Sequence, residues 1–147
     1  MLADKFNATE SAIKTFLEGK SDISAEVSYF HEKLIDDIYR YTSDQLPAVA
    51  VAAIGYEEAG IRRERIECVV EVVTAAGDLA VADGKCKEIM SLIINNLVKE
   101  DPRIGGRGIS DAFEEIAVES GGVVPPDKSS HGFTVVGMIN INAVING

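Results

Sequence analysis

Along most of the chain the hydrophobic positions recur at three- and four-residue steps, and only at its end do they alternate with polar ones. The helical stretches come first. A first helix is expected from about Asn7 to Glu18, burying Ile13, Phe16 and Leu17 and stopped by Gly19. A second is expected from about Ser24 to Tyr41, where Val27, Phe30, Leu34, Ile38 and Tyr41 form one stripe. Pro47 suits the first position of a third, Ala-rich helix from Ala48 to about Glu58, with Gly60 closing it.

The stretch from Ile61 to Ala82 supports two readings. Ile66, Val69, Val70, Val73 and Ala80 make a helical stripe, while Cys68 to Thr74 has the β-branching of a strand. Its length without a proline favours one long buried helix. Asp83-Gly84 reads as a turn, and Cys86, Ile89, Met90, Ile93, Leu97 and Val98 then give the cleanest amphipathic period in the chain. After Asp101-Pro102 and a glycine-rich loop, Ser110 is a suitable N-cap for a last helix reaching about Glu119.

Gly121-Gly122, Pro125-Pro126 and Ser129-Ser130 mark a long polar connection. Beyond it, Phe133, Val135, Ile139, Ile141, Ala143 and Ile145 fall on one face of a strand, with Gly137, and Thr134, Asn140 and Asn142 on the other. The expected fold is therefore mainly α, with some β: a compact bundle of five or six helices over residues 1–120, then a linker and a C-terminal strand or hairpin over 121–147 packed on the same domain. That strand lacks an obvious ladder partner. Pairing with the 68–74 run, folding on itself near Gly137, or pairing with a second copy would each supply one. The last option makes Phe133, Val135, Ile139 and Ile141 candidate interface residues in a homo-oligomer.

Composition narrows the function. With 147 residues, 46% of them hydrophobic and 26% charged, the chain can bury a real core, and no apolar run approaches the ~20 residues of a membrane-spanning helix. The 14 Lys and Arg against 24 Asp and Glu give a net charge of −10, a field that repels a nucleic-acid backbone and suits a basic partner or a metal ion. Cys68 and Cys86 have no CxxC spacing, and each sits in an apolar pattern, so both are expected as reduced core residues. The N-terminus lacks the blocks of a signal peptide, which makes the cytoplasm the expected location.

Two clusters carry candidate chemistry. On a 61–82 helix, Glu64, Glu67, Glu71 and Asp78 share a face, where hard carboxylate oxygens would hold Mg²⁺, with Glu57 and Glu58 on the preceding helix to complete the site. These acids resemble part of the metal motif of the all-helical nucleotide pyrophosphatases, which implies phosphate-ester hydrolysis. They depart from it where Ala59-Gly60 follows Glu57-Glu58 and where Glu71 and Asp78 stand seven apart. The loop Gly105, Gly106, Arg107, Gly108 before an expected helix N-terminus would cradle an anion. His31 and His131 have no metal-ligand spacing, and Ser129 and Ser130 beside His131 have no oxyanion site to work with.

No complete catalytic set emerges from these residues. The leading expectation is a non-enzymatic binding or assembly module, a small acidic accessory or inhibitory protein of mobile-element or phage-like type that needs no cofactor. A Mg²⁺-dependent helical nucleotide phosphohydrolase and a helical pocket for a small apolar ligand are the alternatives.

Overall fold

The computed structural model describes residues 2–32, 46–106, 109, 113–129 and 132–146. Its centre is a five-stranded sheet in the order β1-β2-β3-β5-β4, formed by β1 (Glu26–Tyr29), β2 (Ala48–Gly60), β3 (Arg63–Ala76), β4 (Phe113–Ser129) and β5 (Gly132–Asn146). Only the β1–β2 pair is parallel. Two α-helices among the described residues, α1 (Leu2–Glu18) and α2 (Leu79–Val98), cover one face of this sheet. The fold is mainly β, which overturns the bundle of five or six helices.

The differences from the expected fold come from where the apolar side chains go. Residues 48–58 are strand, because Val49 and Val51 alternate with Ala48 and Ala50: the valines join the core beneath the helices, and the alanines lie on the opposite face. The 61–82 rod is replaced by β3, a short turn and the first residues of α2. In β3 the alternating set Ile66, Cys68, Val70, Val72 and Thr74 is buried throughout, so the strand pattern within the ambiguous run prevails. The 24–41 helix is replaced at its start by β1 and a 3₁₀ turn over Phe30–Glu32, while Leu34, Ile38 and Tyr41 lie outside the described residues. Asp83-Gly84 is not a turn but part of α2.

The last expected helix and the polar connection after it merge into β4, a single strand that carries three register shifts. The expected strand at the chain's end is present. β5 lies inside the sheet, hydrogen-bonded along β3 on one side and β4 on the other, so neither of its edges is free for a second copy.

The main core joins Ile13 and Leu17 of α1, Ile89, Ile93 and Leu97 of α2, and the inward faces of β2, β3 and β5. A fully buried aliphatic side chain of this kind contributes roughly 1.5–3 kcal/mol relative to exposure, so this layer supplies most of the drive to fold. Ion pairs tie the margins together: Lys5 of α1 meets Glu64 of β3, and Arg63 reaches Glu114 and Glu115 of β4 at 2.8 Å each.

Candidate assembly surface

The four carboxylates of the expected metal site do not come together. In β3 the side chains alternate between faces, so Glu67 and Glu71 lie on the face away from the helices and Glu64 on the other, beside Lys5. Asp78 acts elsewhere, as the N-cap of α2, its Oδ1 accepting the backbone N–H of Ala80 at 2.8 Å. Glu57 pairs with Arg65 at 3.4 Å, while Glu58 stands opposite Glu64 on the helix side. Among the described residues no three His, Cys, Asp or Glu side chains gather as a metal site would need.

The glycine loop serves a turn. Gly105 takes a left-handed conformation (φ 89°) that closes the 3₁₀ turn Pro102–Ile104, and the Gly106 N–H donates to the Asp101 carbonyl at 2.9 Å. A Cβ on Gly106 would come within 2.3 Å of the Glu100 backbone, so close approach of the chain explains this glycine. Arg107 and Gly108 lie outside the described residues, and β4 occupies the place of the expected helix. The Asp101 carboxylate anchors the same turn. Burial pushes its acidity down, but hydrogen bonds from the Arg103 guanidinium and amide and from the Ile116 amide outweigh that and hold its pKa below the ordinary carboxylate value.

The expected interface residues of β5 belong to the core instead. Val135, Ile139 and Ile141 are essentially inaccessible under α2, and Phe133 is half-buried at the strand's start. Both cysteines are reduced and buried, as expected, and burial pushes the Cys68 thiol up to about 12.

A different surface is exposed. Among the described residues β1 pairs only with Ala48 to Val51, and no described strand pairs with the outer edge of β2 beyond that point. The N–H of Ala53 is taken by the Glu10 carboxylate of α1 at 2.9 Å, and the open stretch begins at Ile54. Exposed apolar side chains gather there: Ile54 and Tyr56 on β2 and, 93% exposed, Ile61 at the tip of the β2–β3 hairpin, where Arg62 adopts a left-handed φ of 58°. On the far side of the sheet β4 forms the other edge, next to an open groove bordered by Met90, Ile94, Gly121 and Val123. Sequence reasoning missed this surface because it placed residues 48–58 on a helix. An isoleucine between Gly60 and Arg62, where turn residues are normally polar, was the available signal.

No described helix is long and apolar enough to cross a membrane. No protein-family model matches the chain, and no curated protein does. Among solved structures the chain is similar to one in the virion of a native gene transfer agent particle, with a TM-score of 0.58 at 12% identity, over 94% of this chain and 94% of that one. At that identity the likeness carries the fold.

Proposed function

We propose that the chain is a non-enzymatic structural subunit of a phage-like particle, acting by repeated association with further subunits. The observation that carries this reading is the whole-length likeness of its fold to a chain of a gene transfer agent virion. The surface supports it: Ile54, Tyr56 and Ile61 expose apolar side chains together along β2 and the tip of its hairpin, a patch suited to contact with other protein chains. The sequence-derived expectation of an assembly module agrees with this reading, and a homo-oligomer is its simplest form.

The test is sedimentation velocity and negative-stain electron microscopy on the purified full chain across protein and salt concentration. Discrete oligomers of one size with regular outlines are the expected result. A single monomeric species under every condition overturns self-association as the mode of action.

A further inference from the structure

We propose that copies of this chain join head to tail, the Ile61-Arg62 tip of the β2–β3 hairpin in one copy seating in the groove between α2 and β4 of the next. This rests on the assembly reading above and names its partner as a second copy of the chain.

The tip is held out rigidly. Gly60 pairs with Arg63, so Ile61 and Arg62 alone make the turn, and the positive φ of Gly60 (136°) and of Arg62 (58°) set its shape. Below it Arg63 is tied to Glu114 and Glu115 at 2.8 Å each. Ile61 is 93% exposed, and Tyr56 borders the same hollow beside it. A large aliphatic side chain on so stiff a turn adds nothing to the core of its own chain, and a second surface is what would take it out of water.

The groove supplies such a surface. Met90 and Ile94 of α2 come within 3.7 and 3.9 Å of the place a Cβ on Gly121 would take, and Val123 continues the apolar floor along β4. Because Gly121 and Gly122 carry no side chains, a hollow of about 570 Å³ is left there, in the size range of clefts that take small ligands and roomy enough for a two-residue tip. The residues that wall it are all described ones at mid-strand, and Phe113 and Ser129, the ends of β4, lie about 20 Å or more away along the strand. Arg63 pairs with Asn146 and Gly121 with Ile139, so the tip and the groove of one chain are roughly 20 Å apart along β5. They meet between copies and not within one.

Charge favours the same pairing. Arg63 and Arg65 are engaged by acids of their own chain, whereas among the described residues no acid pairs with Arg62. At the groove Lys87 is already paired with Asp83 at 2.7 Å, while Glu88 of α2 and Glu119 of β4 stand exposed. A free guanidinium on the tip thus meets a rim that carries more acid than base, in a chain whose net charge of −10 otherwise sets copies against one another. Because tip and groove are different surfaces, the contact is heterologous and propagates to a ring or a filament instead of stopping at a two-fold dimer.

Mixing two variants tests this. In the full-length chain Ile61→Asp removes the apolar side chain of the tip, and Ser91→Arg, at an exposed position on the wall of the groove, fills the groove and opposes Arg62. Ile61→Ser and Ser91→Lys replace whichever of the two fails to melt like the wild type. Sedimentation velocity is run on each variant alone and on their equimolar mixture, up to the highest soluble concentration. The expected result is monomer from each variant alone and a one-to-one dimer from the mixture, because the intact groove of the first receives the intact tip of the second and growth then stops. Oligomers of wild-type size from either variant alone, or no dimer in the mixture, overturn the contact, while the assembly reading stands on the wild type's own oligomers. A wild type that is monomeric throughout overturns both.

Discussion

The sulfur of Met90 on α2 lies over the α-carbon of Gly137 on β5, so close that a Cβ there would come within 2.3 Å of Met90 Sδ and 3.0 Å of Cys86 Sγ. α2 can approach the sheet at this point because β5 has no side chain there. Gly137→Ala should therefore overpack the helix-sheet layer and cost about 1–3 kcal/mol. Chemical denaturation of Gly137→Ala, Met90→Ala and the double variant checks this. Removing the Met90 side chain should make the alanine at 137 less harmful, and strictly additive effects would contradict the contact.

Asp78 is the second point at which a single side chain decides local structure. Its Oδ1 accepts from the Ala80 and Val81 amides at 2.8 and 3.4 Å and so starts α2. Asp78→Ala should cost about 1 kcal/mol, and Asp78→Asn, which keeps an accepting oxygen, much less. Thermal melts of the two variants measure the difference. Because Glu64, Glu67, Glu71 and Asp78 are dispersed, millimolar Mg²⁺ should shift the melting temperature no more than Na⁺ of matched ionic strength.

The Asp101 carboxyl has a folded pKa below its unfolded value, held down by Arg103 and the Ile116 amide against the effect of burial. The charged form is thus the one the fold prefers. Its contribution to stability is fully present above the unfolded value near 3.8 and is lost as pH falls through the lower folded value. Asp101→Ala, which removes both the cap of the 3₁₀ turn and the Arg103 contact, should cost about 0.5–2 kcal/mol at neutral pH. The gap between variant and wild type should close on acidification, which denaturant titrations at several pH values below neutrality would follow.

Cys68 should be inert in the folded protein. It is 1% exposed, and desolvation, reinforced by Glu10 and Glu67, raises its thiol to about 12, so hardly any thiolate exists at neutral pH. Cys86, at 0% exposed, is raised by burial too. An aromatic disulfide reagent should label neither thiol until denaturant opens the core, and the labelling rate should then track global unfolding. Fast labelling of one thiol in buffer would show that the α2–sheet layer opens on its own.

How legible this fold is in the sequence depends on the bulges. α1, the body of α2 and β5 follow regular periods, and all three are readable from the positions of Ile13 and Leu17, of Ile89 and Ile93, and of Ile139 and Ile141. β2 and β4 are not. In β4 the register shifts put Phe113, Ile116, Val118 and Gly121 on one face, at steps of three, two and three, a spacing that imitates a helix. In β2 the shift at Ile54 sets Ala53 and Tyr56 on one face, three apart, within a run of alanines that reads as helix former. The 61–82 stretch held the correct strand pattern in Ile66, Cys68, Val70 and Val72, and its length without a proline argued the other way. The candidate surface was hidden for the same reason: only once residues 48–60 are a strand do Ile54 and Tyr56 stand beside Ile61, the one local signal being that isoleucine in a turn.

The position of β5 inside the sheet bears on how the molecule reaches its native state. Arg63 must find Asn146 and Ala76 must find Phe133, pairings that close very long loops before any hydrogen bond rewards them. β4 and β5 meet locally at Ser129 and Gly132, so it is the inner edge of β3 that stays bare and adhesive until the pair docks on it. A polypeptide interrupted before Gly132 would hold the helices and most of the apolar residues yet lack the strand that joins the two halves, leaving an aggregation-prone species in place of a smaller native domain.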